Sequence, residues 1–123
     1  MAQVLERNLT VWKGDSFRLP IRLRSRPSPD GPYAWVDLTG HILTFEAKWT
    51  GINDPFIKRS DEGSWVIGSQ VSGSTKGLAT LTLTPDETEL LPAVGVAVTY
   101  AVRELVGADE FTRLAGKLLL KAF

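Results

Sequence analysis

His41 is the only histidine in this 123-residue chain, and no cysteine accompanies it. Zinc draws three or four ligands from His, Cys and carboxylate side chains, so neither a structural nor a catalytic zinc is expected. A Ser-His-Asp triad can be written on paper, but no nucleophile-elbow context supports one. His41 follows the Asp37-Leu38-Thr39-Gly40 turn and is expected to make a local hydrogen bond. Gly14, Gly40 and Gly77 form no phosphate-cradling run ahead of a helix. The acidic group Asp86, Glu87 and Glu89 has the composition for calcium or acid–base work, but its setting favours another role. Thr84-Pro85-Asp86-Glu87 has the grammar of a helix start: Thr84 caps, Pro85 takes the first helical position, and Glu87 closes a capping box. Carboxylates there also complement the helix dipole. Asp61-Glu62-Gly63 reads as an exposed loop. No acid, base and nucleophile come together, so the expectation is no catalytic residue, no cofactor, no metal and no enzyme activity.

What remains is recognition by surface. Of four tryptophans, Trp49 shares a strand face with Leu43 and Phe45 and is expected in the core. Trp12 is out of phase with Leu9 and Val11, and Trp35 and Trp65 sit near loops. These three are candidates for a surface patch, either a protein interface or a sugar-stacking platform. Arg18, Arg22 and Arg24, with Arg26, form a cationic stripe that is either a solvated strand face or a docking strip for an acidic neighbour. The candidate interaction surface is therefore Trp12, Arg18, Arg22, Arg24, Trp35 and Trp65.

The elements that would hold these residues are mostly strands. After the Lys13-Gly14-Asp15 turn, Phe17, Leu19, Ile21 and Leu23 alternate with Arg18, Pro20, Arg22 and Arg24, the period of a half-buried strand. Pro20 donates no ladder hydrogen bond, which favours an edge position or a bulge. Leu9–Trp12 is a short strand, and residues 1–8 before it read as a mobile arm. Arg26 to Pro32 is a proline-rich loop. Leu43, Phe45, Ala47 and Trp49 mark a second core strand, and Thr50 to Ser64 is turn-rich with a small Phe56-Ile57 patch. Trp65-Val66-Ile67 is a short strand, Gly68 to Lys76 a flexible connection, and Leu78 to Thr84 another strand. A helix over Pro85–Leu91 is limited by Pro92. Val96, Val98, Tyr100 and Val102 form a strand, residues 106–110 a hairpin loop, and Phe111 to about Ala122 the last strand, with Gly116 as its bulge.

Seven to eight short strands and one short helix predict an all-β fold, a β-sandwich occupying residues 9–123 as one domain. An up-and-down barrel is open on the same evidence. Lys+Arg and Asp+Glu number 14 each, and zero net charge argues against nucleic acid as a bulk electrostatic partner. It also removes self-repulsion, which suits a protein that assembles with copies of itself. Without cysteine, stability must come from packing. The first residues lack a signal-peptide pattern and no apolar run is long enough to span a bilayer, so folding in a cytoplasm and no membrane association are expected.

The order of these signals resembles one family. Lys13-Gly14-Asp15 precedes one alternating strand and Asp37-Leu38-Thr39-Gly40 the next. Gly77-Leu78-Ala79-Thr80-Leu81 runs into Pro85-Asp86-Glu87-Thr88, followed by Tyr100 on a valine-rich strand and by Phe111-Thr112 and Gly116-Lys117-Leu118. From roughly Leu9 to Ala122 the chain is similar to the small immunoglobulin-like domain of tailed-phage baseplate and tail proteins, as at the N-terminus of siphophage upper baseplate proteins. The resemblance implies an immunoglobulin-like β-sandwich and a virion structural part without catalysis or cofactor. It would work by docking on other tail, baseplate or virion proteins and by forming a homo-oligomer. In upper baseplate proteins the domain continues into a helical linker, whereas this chain stops at Phe123, which fits a stand-alone connector or decoration subunit. The alternative from the residues alone is a carbohydrate-binding module using Trp12, Trp35 or Trp65.

Overall fold

A computed structural model describes residues 5–25, 30–51 and 54–123. Arg26, and with it the first half of the proline-rich loop, lies outside the described residues. In chain order the elements are β1 (Leu5–Glu6), β2 (Leu9–Trp12), β3 (Phe17–Arg22), β4 (Arg24–Ser25), β5 (Ala34–Trp35), β6 (Ile42–Trp49) and β7 (Phe56–Arg59). A 3-10 turn (Ser60–Glu62), β8 (Trp65–Ile67), β9 (Leu78–Leu83), α1 (Pro85–Glu89), β10 (Val98–Val106) and β11 (Asp109–Lys121) follow. The class is all-β. β1, β4 and β5 are two residues each, and the other strands correspond to those expected from periodicity, with β7 added and with β10 and β11 paired through the expected 106–110 loop, leaving only Gly107-Ala108 as the turn.

The larger sheet is built on β11, with β10, β6 and β7 in succession on one side and both β1 and β2 on the other. A second sheet runs β3-β9-β8, and β4 pairs with β5. β3 is an edge strand, which is where Pro20 can sit without breaking a ladder. The inward rows of both sheets meet in one apolar cluster that includes Leu19, Leu43, Phe45, Ala79, Leu81, Leu83, Tyr100 and Val102. Each large side chain buried this way contributes about 1.5–3 kcal/mol. Trp49 packs against this cluster partly buried, whereas Val96 is 36% exposed and precedes β10.

Three expectations are corrected. Residues 5–8 are not a free arm: β1 pairs in parallel with Leu114 and Ala115, the Arg7 amide donates to Ala115 O at 2.9 Å, and Asn8 Oδ1 accepts the Lys117 amide at 3.0 Å. Tyr100 Oη also donates to Arg7 O at 2.5 Å. The β11 bulge falls at Arg113, because Val102 pairs with Leu114 and Arg103 with Thr112. Gly116 serves a different purpose, since a Cβ there would stand 2.1 Å from Arg7 O and push the N-terminal strand off the sheet. Finally, Phe56 and Ile57 belong to a strand paired with β6 rather than to a loop.

The helix forms as its sequence dictates. Thr84 Oγ1 accepts the Glu87 amide at 3.2 Å and Glu87 Oε1 accepts the Thr84 amide at 2.9 Å, closing the capping box. The helix ends at Glu89 with Leu90 as its C-cap, two residues short of the expected limit at Leu91. Thr88 is fully buried, and its hydroxyl ties the helix to the turn before β3: it accepts the Gly14 amide at 3.0 Å and reaches Asp15 O and Pro85 O at 2.9 Å each.

Candidate functional site

The far end of β3 gathers most of the cationic candidates. Arg22 lies over the Trp35 ring at 3.7 Å, and Arg24 lies over the Tyr33 ring at 4.4 Å. The cause is local pairing: Arg24 stands opposite Trp35 in the β4–β5 ladder, so guanidinium and ring share one small surface. Arg22 is also fixed from beneath, with Nε donating to Lys76 O at 3.0 Å and one terminal nitrogen to Gly73 O at 2.6 Å. The Gly68 to Lys76 connection is pinned on its other side by Gln70, whose Oε1 accepts the Leu38 amide at 2.8 Å and the Gly77 amide at 3.0 Å. Gly77 takes φ +79°, and a Cβ there would meet Leu23 O at 2.6 Å. Tyr33 and Trp35 remain 43% and 41% exposed.

Beside this patch, the edges of the two sheets leave a groove of about 380 Å³ between β1 and β3. Its apolar lining comes from Leu5, Pro20, Ile21, Leu23 and Leu114. Arg7, Arg22 and Arg113 line it as well, against a single carboxylate residue, Glu6.

Arg113 leads into the interior. The β11 bulge turns it toward the inward phase of β10, where Nε and one terminal nitrogen clamp Glu104 Oε1 at 2.8 and 2.6 Å. The second carboxylate oxygen of Glu104 meets His41 Nδ1 at 2.6 Å. The Glu104 side chain is 1% exposed, Arg113 10% and His41 20%. His41 does make the local hydrogen bond expected of it, its amide donating to Leu38 O at 3.0 Å, but its ring finds a partner 63 residues away, because the β6–β10 pairing sets Leu43 beside Glu104. Chemically this is a paired charge buried at one end of the core. No group of three or more His, Cys, Asp or Glu residues among the described residues could hold a metal.

The other candidates are scattered. Arg18 is exposed on β3. Trp12 is 39% exposed at the opposite end, stacked on Phe123 at 4.9 Å, with Lys121 Nζ 5.6 Å from its ring. Trp12 precedes the start of β3, whereas Trp35 pairs with Arg24 beyond its end, and β3 itself spans about 17 Å by strand rise. Trp65 is a correction: at 5% exposure it belongs to the core. It pairs with inward Leu81 on β9, and its indole Nε1 donates to Lys58 O at 3.1 Å. The three tryptophans thus do not make one ring platform.

Sequence reasoning missed Glu104 and Arg113. The signal for Glu104 was present: Val98, Tyr100, Val102 and Glu104 occupy one phase of β10, and an acid on the buried phase demands a cationic or hydrogen-bonding partner. Arg113 had no such signal, because only the bulge brings it to that face.

Elsewhere, Asp37 is held below the usual carboxylate range by the Thr39 hydroxyl, then by the Thr39 amide. Glu87 is also lowered: burial, the largest influence, pushes it up, but Lys58 and the Thr84 amide outweigh it. Burial raises the Tyr100 phenol. None of these groups lines the groove. No helix among the described residues is long and apolar enough to cross a membrane. No protein-family model matches the chain, and no curated protein does.

Proposed function

We propose that the chain is a structural protein of a tailed phage or prophage virion. In this reading it is an immunoglobulin-like β-sandwich made in the host cytoplasm and built into a tail, baseplate or connector. It acts without catalysis, as a connector or decoration subunit that docks on neighbouring virion proteins and on copies of itself.

The observation that carries the docking part is the Arg22–Trp35 and Arg24–Tyr33 pair of stacks beside the groove. Arginine and aromatic side chains are the residues most enriched where protein interfaces hold their energy. These are also partly preorganised, with Arg22 bonded to two backbone carbonyls of the Gly68 to Lys76 connection. The virion assignment rests on the order of turn and strand motifs set out above.

The test is co-purification with the products of the genes flanking its own, together with sedimentation of the protein alone. The expected result is a stable oligomer, or a complex with a tail or capsid protein, burying on the order of 1,000 Å² or more. Trp35→Ala should weaken that complex about tenfold or more, as interface anchors do. A strictly monomeric protein that binds none of those products would overturn the reading.

A further inference from the structure

We propose that the groove between β1 and β3 receives the knob formed by α1 and the turn after it from a second copy, so that copies join head to tail. This rests on the docking reading above and specifies which surfaces meet.

The groove has an apolar floor with arginine residues around it. Arg22 and Arg113 each use Nε and one terminal nitrogen within the molecule, which holds their guanidinium groups in place. The Arg7 side chain has no ion pair among the described residues, although its backbone is fixed on both sides. The surface is therefore a shaped apolar slot whose rim carries three arginines against one carboxylate residue, Glu6, with Arg22 hydrogen-bonded only to backbone carbonyls among the described residues.

The knob has the reverse arrangement. The helix stops after five residues, leaving Leu90 67% exposed and Val94 55% exposed. Asp86 and Glu89 flank them, exposed and without ion pairs among the described residues, whereas Glu87 of the same turn is held by Lys58. The knob is rigid, because Thr88 and Leu91 are buried beneath it and Thr88 is bonded to the turn at Gly14 and Asp15. An apolar centre with a carboxylate rim thus faces outward at one end of β3, and an apolar slot rimmed by three arginines and Glu6 opens at the other. Opposite charge around matched apolar centres sets partner choice and register, and two preformed surfaces lose little freedom on meeting.

Within one molecule the two cannot touch, since the knob is tied to the start of β3 and the groove is lined by its last residues. The contact is therefore between unlike surfaces, which yields a ring where the rotation closes and an open filament where it does not. Zero net charge leaves no overall repulsion to oppose stacking.

The experiment uses the intact chain and two charge reversals, Arg7→Glu in the groove and Glu89→Lys on the knob. Neither side chain makes an internal ion pair among the described residues, and circular dichroism with thermal melting confirms that both variants fold. Sedimentation equilibrium should show wild-type association that weakens as salt is raised. Each reversal alone should lower the association constant about tenfold or more, because like charges then face each other. An equimolar mixture of the two variants should recover it, since each groove then meets a knob of opposite sign. Reversals without effect, or a mixture that associates no better than its components, overturn the proposal. A wild-type chain that stays monomeric yet binds a flanking gene product overturns the proposal and leaves the docking reading standing. One that is monomeric and binds nothing overturns both.

Discussion

The α1 end and the groove end of the molecule both bury polar groups, by opposite chemistry. At the α1 end a single neutral hydroxyl, Thr88 Oγ1, serves three backbone groups drawn from the helix and the turn before β3. At the groove end a guanidinium and an imidazole meet on a carboxylate that is almost wholly buried. A neutral hydrogen bond gives a modest net stabilisation, and cutting it so that buried groups are left unsatisfied costs about 1–3 kcal/mol. A buried ion pair gives little net stability, because desolvation offsets the attraction, yet breaking it strands an uncompensated charge. The two ends therefore differ less in what they contribute than in what they lose when damaged.

That difference sets an order of mutational effects. Glu104→Ala should be the most severe, destabilising by about 3–5 kcal/mol as it leaves Arg113 buried and unpaired. Urea unfolding measures it, and replacing Glu104 and Arg113 together by leucine should cost less than Glu104→Ala alone. If the double variant is the worse of the two, the groove end is not the charge-dominated site described here. Thr88→Val, which keeps the volume and removes the hydroxyl, should cost about 1–3 kcal/mol by the same measurement. Thr84→Ala, which opens the capping box, should cost about 1 kcal/mol. If either α1-end substitution exceeds Glu104→Ala, the contrast between the ends is reversed.

The smallest effect is one of pH. Glu87 is held below its ordinary value, so the unfolded chain takes up its proton first as pH falls. Its contribution is fully present above the ordinary glutamate range and is lost as pH drops through the depressed value. Glu87→Gln should flatten that part of the acid limb in a plot of urea midpoint against pH. A limb of unchanged shape would remove Glu87 from the α1-end account.

The same contrast explains how much could be read from the chain. The α1 end is written locally: Thr84 and Glu87 are three residues apart, and their reciprocal bonds follow from that spacing alone. The inward rows of β3, β6 and β9 were legible for a similar reason, since a period of two needs no knowledge of partners. The groove end is written at long range. His41 and Glu104 meet only through the β6–β10 register, and Arg113 faces inward only because one residue is inserted opposite Val102–Arg103. Trp65 misled because its neighbours are loop-like, while its position opposite Leu81 decides its burial. Gln70 sits in a stretch whose composition says only that it bends, and its three hydrogen bonds depend on where Leu38, Gly68 and Gly77 come to rest.

One feature of the larger sheet bears on how the chain folds as it is made. Among the described residues β1 and β2 pair only with β11, so residues near the start of the chain find their places beside residues more than 100 positions later, as when Asn8 accepts the Lys117 amide across a separation of 109. On a ribosome, Leu9 and Val11 have no sheet neighbour until Leu118 and Leu120 have emerged. The three-stranded sheet, α1 and the β6–β7 and β6–β10 pairs can form earlier, but β1 and β2 join the larger sheet only with β11, with the slow kinetics of distant pairing.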